Sequence, residues 1–130
     1  MAARNLAPVR ALVRELVPIT GSFAPNGSSA VDATSNKGLG WTVVRTSTGL
    51  FTITFADKWS DLVSFTTGLQ LATGDDKFLQ TGAYDASART ITIRVWDVSG
   101  GAVADISANA NNRISFTAWF RNSAALPVHD

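Results

Sequence analysis

The sequence has no cysteine, one histidine and one glutamate, and each shortage removes a class of chemistry. Without cysteine there is no disulfide framework, no thiolate metal site and no thiol nucleophile. The one histidine, His129, is next to the last residue, where chains tend to fray. A Ser-His-Asp triad or a histidine metal site would have to be built from a tail, and neither is expected. Charged residues make up 16% of the chain, against roughly 25% in an average soluble domain. The net charge is +1, so bulk electrostatics gives no argument for a nucleic-acid partner. No run approaches the ~18 apolar residues of a membrane span. The opening MAARNLAPVRALVREL lacks the apolar core of a signal peptide. The expectation is a soluble protein made in a cytoplasm, with no membrane partner.

What fills the shortfall in charge is Thr, Ser, Asn, Gly and Ala, and a length of 130 residues suits one domain with its own core. Beyond residue 20 apolar residues alternate with hydroxyl-bearing ones, and Gly, Asn and Asp clusters interrupt the pattern every 8 to 12 residues or so, the rhythm of an all-β chain. In 50–55, Phe51, Ile53 and Phe55 share a face, and Leu50, Thr52 and Thr54 share the other. In 90–96, Ile91, Ile93 and Val95 lie opposite Thr90, Thr92, Arg94 and Trp96. In 114–121, Ile114, Phe116, Ala118 and Phe120 alternate with Ser115, Thr117, Trp119 and Arg121. Segments with one apolar and one hydroxyl-rich face predict a sheet half covered by a second sheet.

Further strands are expected over 41–45, over 62–71 with a break near Gly68, over 78–84, and briefly through 103–106. Thr46-Ser47-Thr48-Gly49 and Asp85-Ala86-Ser87-Ala88 read as hairpin turns, with Gly49 free to take positive φ. The remaining loops are 22–40, 72–76, 98–101 and 108–112. The first is long for a compact domain, which marks it as functional, disordered or ordered by a neighbour. Residues 1–20 have two readings. Leu6, Val9, Leu12, Val13, Leu16 and Val17 have helical spacing, whereas Pro18 is tolerated in an edge strand. The extended arm or edge strand is preferred, with a single β-sandwich domain over 21–130.

Residues able to carry chemistry are few. Asp57 and Asp61 flank a short segment and Asp75-Asp76 sit in a turn, but no calcium-loop pattern is present and turn chemistry accounts for both. Asn26-Gly27-Ser28 matches a glycosylation sequon and reads as a turn. Gly38-Leu39-Gly40 opens a strand, so it lacks the helix N-terminus of a phosphate loop. No enzyme, cofactor or metal is expected. The large aromatics are more informative. Trp96 and Trp119 fall on hydroxyl-rich faces beside Arg94 and Arg121, a composition suited to interface anchors. A covering loop or arm of the same chain accounts for them equally well, and a sugar-stacking platform is a third reading. Trp41 and Trp59, at strand ends, read as lids on the core.

The strings GSFAPNG (21–27), GWTVVRTSTGLFTITFADKW (40–59) and ANANNRISFTAWFRNSA (108–124) together resemble a group of small virion proteins from tailed bacteriophages. The resemblance covers most of the chain beyond residue 20. It implies a capsid decoration or cement protein: a β-sandwich or jelly roll of about seven or eight strands, carried on the capsid exterior of the virion and bridging major capsid protein subunits. On this reading the chain is a homodimer or homotrimer, with Arg94, Trp96, Trp119 and Arg121 on the self-contact face. The capsid contact is expected from the arm, with Arg4, Arg10 and Arg14, and from the long loop, with Phe23, Asn26 and Lys37. Tail, baseplate or fibre components draw on similar folds, and a carbohydrate-binding module for host attachment is the alternative of another class.

Overall fold

A computed structural model of the chain describes residues 16–59 and 61–121. Eight strands follow one another: β1 (Leu16–Phe23), β2 (Trp41–Ser47), β3 (Leu50–Phe55), β4 (Asp61–Gln70), β5 (Lys77–Thr81), β6 (Thr90–Asp97), β7 (Ala102–Val103) and β8 (Arg113–Arg121). Every pairing is antiparallel. One sheet has the order β1-β8-β4, and the other runs β2-β3-β6-β5 with β7 also on β6. The expected all-β sandwich is therefore the observed architecture. Residues 16–20 belong to the edge strand β1, with Pro18 inside it, and the rest of the expected arm lies outside the described residues.

The two sheets meet through the apolar sides of their strands. Phe51, Ile53 and Phe55 of β3, Ile91, Ile93 and Val95 of β6, and Ile114, Phe116, Ala118 and Phe120 of β8 are all buried. Strict alternation along each strand is what makes this possible, because successive side chains point to opposite faces. Phe55 of one sheet meets Phe120 of the other edge to face, with centroids 4.8 Å apart, and Trp41 meets Phe116 at 4.9 Å. Aromatic pairs prefer such tilted geometries to flat sandwiches. Trp41 is buried and Trp59 stacks on Phe120, as expected of core lids. Trp41 dictates a residue on the opposite sheet. A Cβ at Gly21 would overlap its indole, so only glycine lets β1 pass there.

The β2–β3 hairpin is tighter than its sequence suggested. Strand β2 continues to Ser47 with an irregularity after Arg45, leaving Thr48 and Gly49 as the turn. Gly49 has φ of 63°, and a Cβ there would sit 2.8 Å from the Ala104 carbonyl oxygen, so both backbone sterics and packing demand glycine. The turn is anchored by a charge. Arg45 donates twice to Asp105, at 3.0 and 2.8 Å, and Asp105 also accepts the Gly49 amide at 2.9 Å. These bonds, from Arg45 first and from Gly49, hold the Asp105 carboxyl below the usual aspartate range against the opposing effect of burial.

Several details depart from the sequence reading. Strand β4 runs unbroken through Gly68, because the Ser115 hydroxyl of β8 occupies the space a Cβ would need. Strand β5 stops at Thr81, although the Gly82 amide still bonds the Thr92 carbonyl. The hairpin loop at 85–88 closes as expected through an Asp85–Thr90 bridge, but Arg89, with φ of 63°, supplies the left-handed residue. Loop 24–40 is held by contacts within the chain. Ser22 and Lys37 exchange backbone bonds, Asp32 caps a one-turn 3₁₀ helix (Ala33–Ser35), and Arg113 reaches both Ser22 Oγ and the Ser35 carbonyl.

Two outcomes test this account. Phe55→Ala should lower unfolding free energy by about 3–5 kcal/mol in urea titration, while Thr54→Ala on the same strand should change it by less than about 0.5 kcal/mol. Asp105 has a depressed carboxyl pKa in the fold, so its stabilisation is complete above the usual aspartate value of about 4 and is lost as pH falls through its lower folded value. The melting temperature of Asp105→Asn should accordingly start lower at neutral pH and fall less steeply below about pH 4 than that of the unsubstituted chain.

Candidate interaction surfaces

Because β6 and β8 belong to different sheets, the residues expected to form one self-contact face do not lie together. Ile93 and Val95 face the core from one side, and Ala118 and Phe120 face it from the other. Their neighbours Arg94 and Trp96 therefore point out of the five-stranded sheet, and Trp119 and Arg121 point out of the three-stranded one. The four residues occupy opposite surfaces of the sandwich, and the single face expected from the sequence is corrected to two. Sequence alternation sets a side chain's direction within its own sheet but carries nothing about which sheet that is.

The outer surface of the five-stranded sheet is built from hydroxyls and one aromatic pair. Thr42, Thr54 and Thr90 stand in register across β2, β3 and β6, and Val44, Thr52 and Thr92 form the next row. Thr46 and Thr52 hydrogen-bond through their hydroxyls at 2.6 Å. Farther along, Phe78 of β5 stands opposite Trp96 of β6 with the rings nearly parallel, 15° apart and 6.5 Å between centroids. Trp96 Nε1 donates to Gln80 Oε1 at 2.9 Å, so the indole is held by its own strand neighbour. Phe78 remains about half exposed.

The outer surface of the three-stranded sheet centres on Trp119. It has Pro18 of β1 on one side and Ser64 of β4 on the other, with Val63 in the irregularity beside it. Trp119 and Val63 are exposed. Arg121 stands between Leu16 and Asp61, and rows of Thr20, Thr117 and Thr66 and of Ser22, Ser115 and Gly68 continue the surface. Both outer surfaces are thus hydroxyl-rich and aromatic at one end, with Arg94 beside the aromatic pair on the first and Asp61 and Arg121 beside Trp119 on the second.

Of the residues expected to touch a capsid, Phe23 is corrected. It is fully buried, in contact with Phe51 and Trp41, because its strand position opposite Ile114 turns the ring inward. Asn26 is half-buried, with its amide donating to the Ala30 carbonyl, and its own carbonyl accepts the Ser29 amide as a turn requires. Lys37 is exposed. Arg4, Arg10 and Arg14 lie outside the described residues, as does His129.

One end of the sandwich carries a polar cleft of about 410 Å³ between the 71–77 and 105–112 segments. Its polar groups already serve the fold. Asn112, buried and unflagged in the sequence, accepts the Ala72 amide at 2.7 Å and donates to the Ser107 carbonyl at 3.0 Å. Asp75 pairs with Lys77 at 2.7 Å. Nearby, Asp76 and Asp97 both accept from Ser99, which holds both carboxyls below the usual range. This is turn chemistry of the kind aspartates supply. Among the described residues no group of three or more His, Cys, Asp or Glu side chains is arranged to hold a metal ion.

Comparison with protein-family models, with curated proteins and with solved structures finds no match for this chain. The surfaces themselves are the basis for a functional reading. Their exposure predicts a spectroscopic difference: Trp119→Phe should remove much of the iodide-quenchable tryptophan fluorescence, whereas Trp41→Phe should leave the quenchable fraction nearly unchanged.

Proposed function

We propose that this chain is a non-enzymatic structural protein of a virion, of the decoration or cement type, which reinforces a capsid by bridging major capsid protein subunits and copies of itself. The observation that carries the reading is the placement of Trp96 with Phe78 and of Trp119 with Val63 on opposite surfaces of one rigid sandwich. A bridging body needs two adhesive surfaces held at fixed separation, and aromatic anchors with an arginine beside them suit the centres of such contacts. Low charge and hydroxyl-rich rims add support, since charged residues are depleted where protein surfaces are fully covered. The resemblance of 21–27, 40–59 and 108–124 to small phage virion proteins supplies the setting. Many copies on a shell let individually weak contacts sum.

A second reading rests on the same surface. The half-exposed Phe78, its ring nearly parallel to that of Trp96 and with the Gln80 amide close by, offers an aromatic surface on which a sugar ring could stack. On that reading the chain is a carbohydrate-binding module for host attachment.

Purified particles decide between them and the tail or baseplate alternative. A cement protein should be present at hundreds of copies per particle by quantitative mass spectrometry, with density over the head. Tens of copies or fewer, confined to the tail, would overturn the head assignment. Glycan-array binding abolished by Trp96→Ala, with no loss of folding, would favour the sugar module instead.

A further inference from the structure

The free edge of β4 differs from the other sheet edges, and the backbone pattern identifies it. Ser22 exchanges both of its outward backbone bonds with Lys37, at 2.9 and 2.8 Å. In an antiparallel pair a residue sends its N–H and C=O to the same side, so Ser22 does not bond Ser115, the residue opposite it. Ser115 therefore directs its own pair to Gly68 of β4, and by alternation Thr117 bonds Thr66. The N–H and C=O groups of Phe65, Thr67 and Leu69 consequently point away from β8, where no strand among the described residues pairs with them.

The other edges are guarded. On β1, Pro18 has no N–H to offer on the open side, and residues 37–38 cover the backbone at Thr20 and Ser22. On β2, Arg45 is tied to Asp105 and is followed by an irregularity in register. On β5 the edge is five residues long and starts with Lys77. Inward charges, bulges, proline, lysine and shortness are the usual protections of an edge. Strand β4 is ten residues long with its irregularity confined to 62–64, leaving 64–70 regular, and 62–70 carry no charge and no proline.

We propose that this edge of β4 is a self-association site, where β4 of a second copy adds antiparallel across a two-fold axis near Thr67. This deepens the reading above, because it rests on the claim that the chain assembles with copies of itself and names the contact. A strand pairing with itself about Thr67 sets Phe65 opposite Leu69 of the partner copy. Both are only half-buried in one chain and would cover each other on the inner face. With no charged residue in the paired segment, like charges do not meet. The result is a continuous six-stranded sheet whose new outer edges are the two guarded β1 strands. Association therefore stops at a closed dimer rather than running on as a fibre.

The test uses the full chain in sedimentation velocity and amide hydrogen exchange across a concentration series. Thr67→Pro removes an edge donor that no described strand uses, so the variant should stay folded and weaken the dimer by at least about tenfold. Thr67→Lys places a charge at the two-fold axis and serves as a second variant. In the unsubstituted chain the amides of Phe65, Thr67 and Leu69 should gain protection as concentration rises, while those of Thr66 and Gly68 stay protected throughout. A dimer unaffected by both variants, with fast exchange at 65, 67 and 69, would overturn the β4 edge while leaving self-assembly standing. A monomer at every concentration would overturn both. Protection at these amides that does not vary with concentration would mean that the same chain covers the edge, and would also overturn the proposal. Absence of the protein from virions would sink the virion reading alone.

Discussion

Among the described residues no strand pairing joins the two sheets, so their attachment falls to the side chains between them. Phe51, Phe55, Phe116 and Phe120 form the centre of that layer, with Phe23, Trp41 and Phe65 around them. Each ring buries a large apolar area, and together with Ile53, Ile91, Ile93 and Ile114 they make a dense interior in a chain that has no cysteine for disulfides. Much else follows from this layer. Gly21 is required because Trp41 lies across it, and the hairpin tip is close to the chain returning at 104–105 because β3 and β6 must both lie flat on the core.

Some of the few charges are used as fasteners. Arg45 and Asp105 tie the β2–β3 hairpin to the segment after β7 across 60 residues of sequence, and Arg113 ties the long loop to β1. A partly buried pair of this kind adds little net energy compared with an apolar contact, but it holds one geometry in preference to others. What stays outside is a pair of surfaces made mostly of threonine, serine and a few aromatics, with Arg94 on one and Asp61 and Arg121 on the other.

The strands themselves were readable, because alternating burial writes itself directly into the sequence at 50–55, 90–96 and 114–121. Pairing was not readable. The assignment of β8 to the sheet opposite β6 depends on contacts between residues far apart in the chain, and periodicity is the same whichever sheet a strand joins. That is why Trp96 and Trp119 seemed to share a face and do not. Phe23 was misread for a related reason. It stands among Gly, Ser, Ala and Pro in what looks like a loop, and only its register with Ile114, 91 residues on, turns it inward. Gly68 suggests a break because glycine weakens a strand interior, whereas its missing side chain leaves room for the Ser115 hydroxyl of β8, and Arg89 gives no sign of its left-handed backbone because arginine has no preference for one.

The separation of the two tryptophan surfaces has a consequence of its own. Packed sheets lie about 10 Å apart, a distance set by the size of the side chains between them. Here those side chains are mainly phenylalanines and isoleucines in equal number with Trp41 among them, and a close-packed layer of that kind resists compression. The core thus acts as a spacer of defined thickness, and replacing its rings with smaller residues would shorten the molecule between its two outer surfaces as well as weaken it. Interior and exterior are coupled by length: any two bodies held by these surfaces would be held at a distance written in the interior.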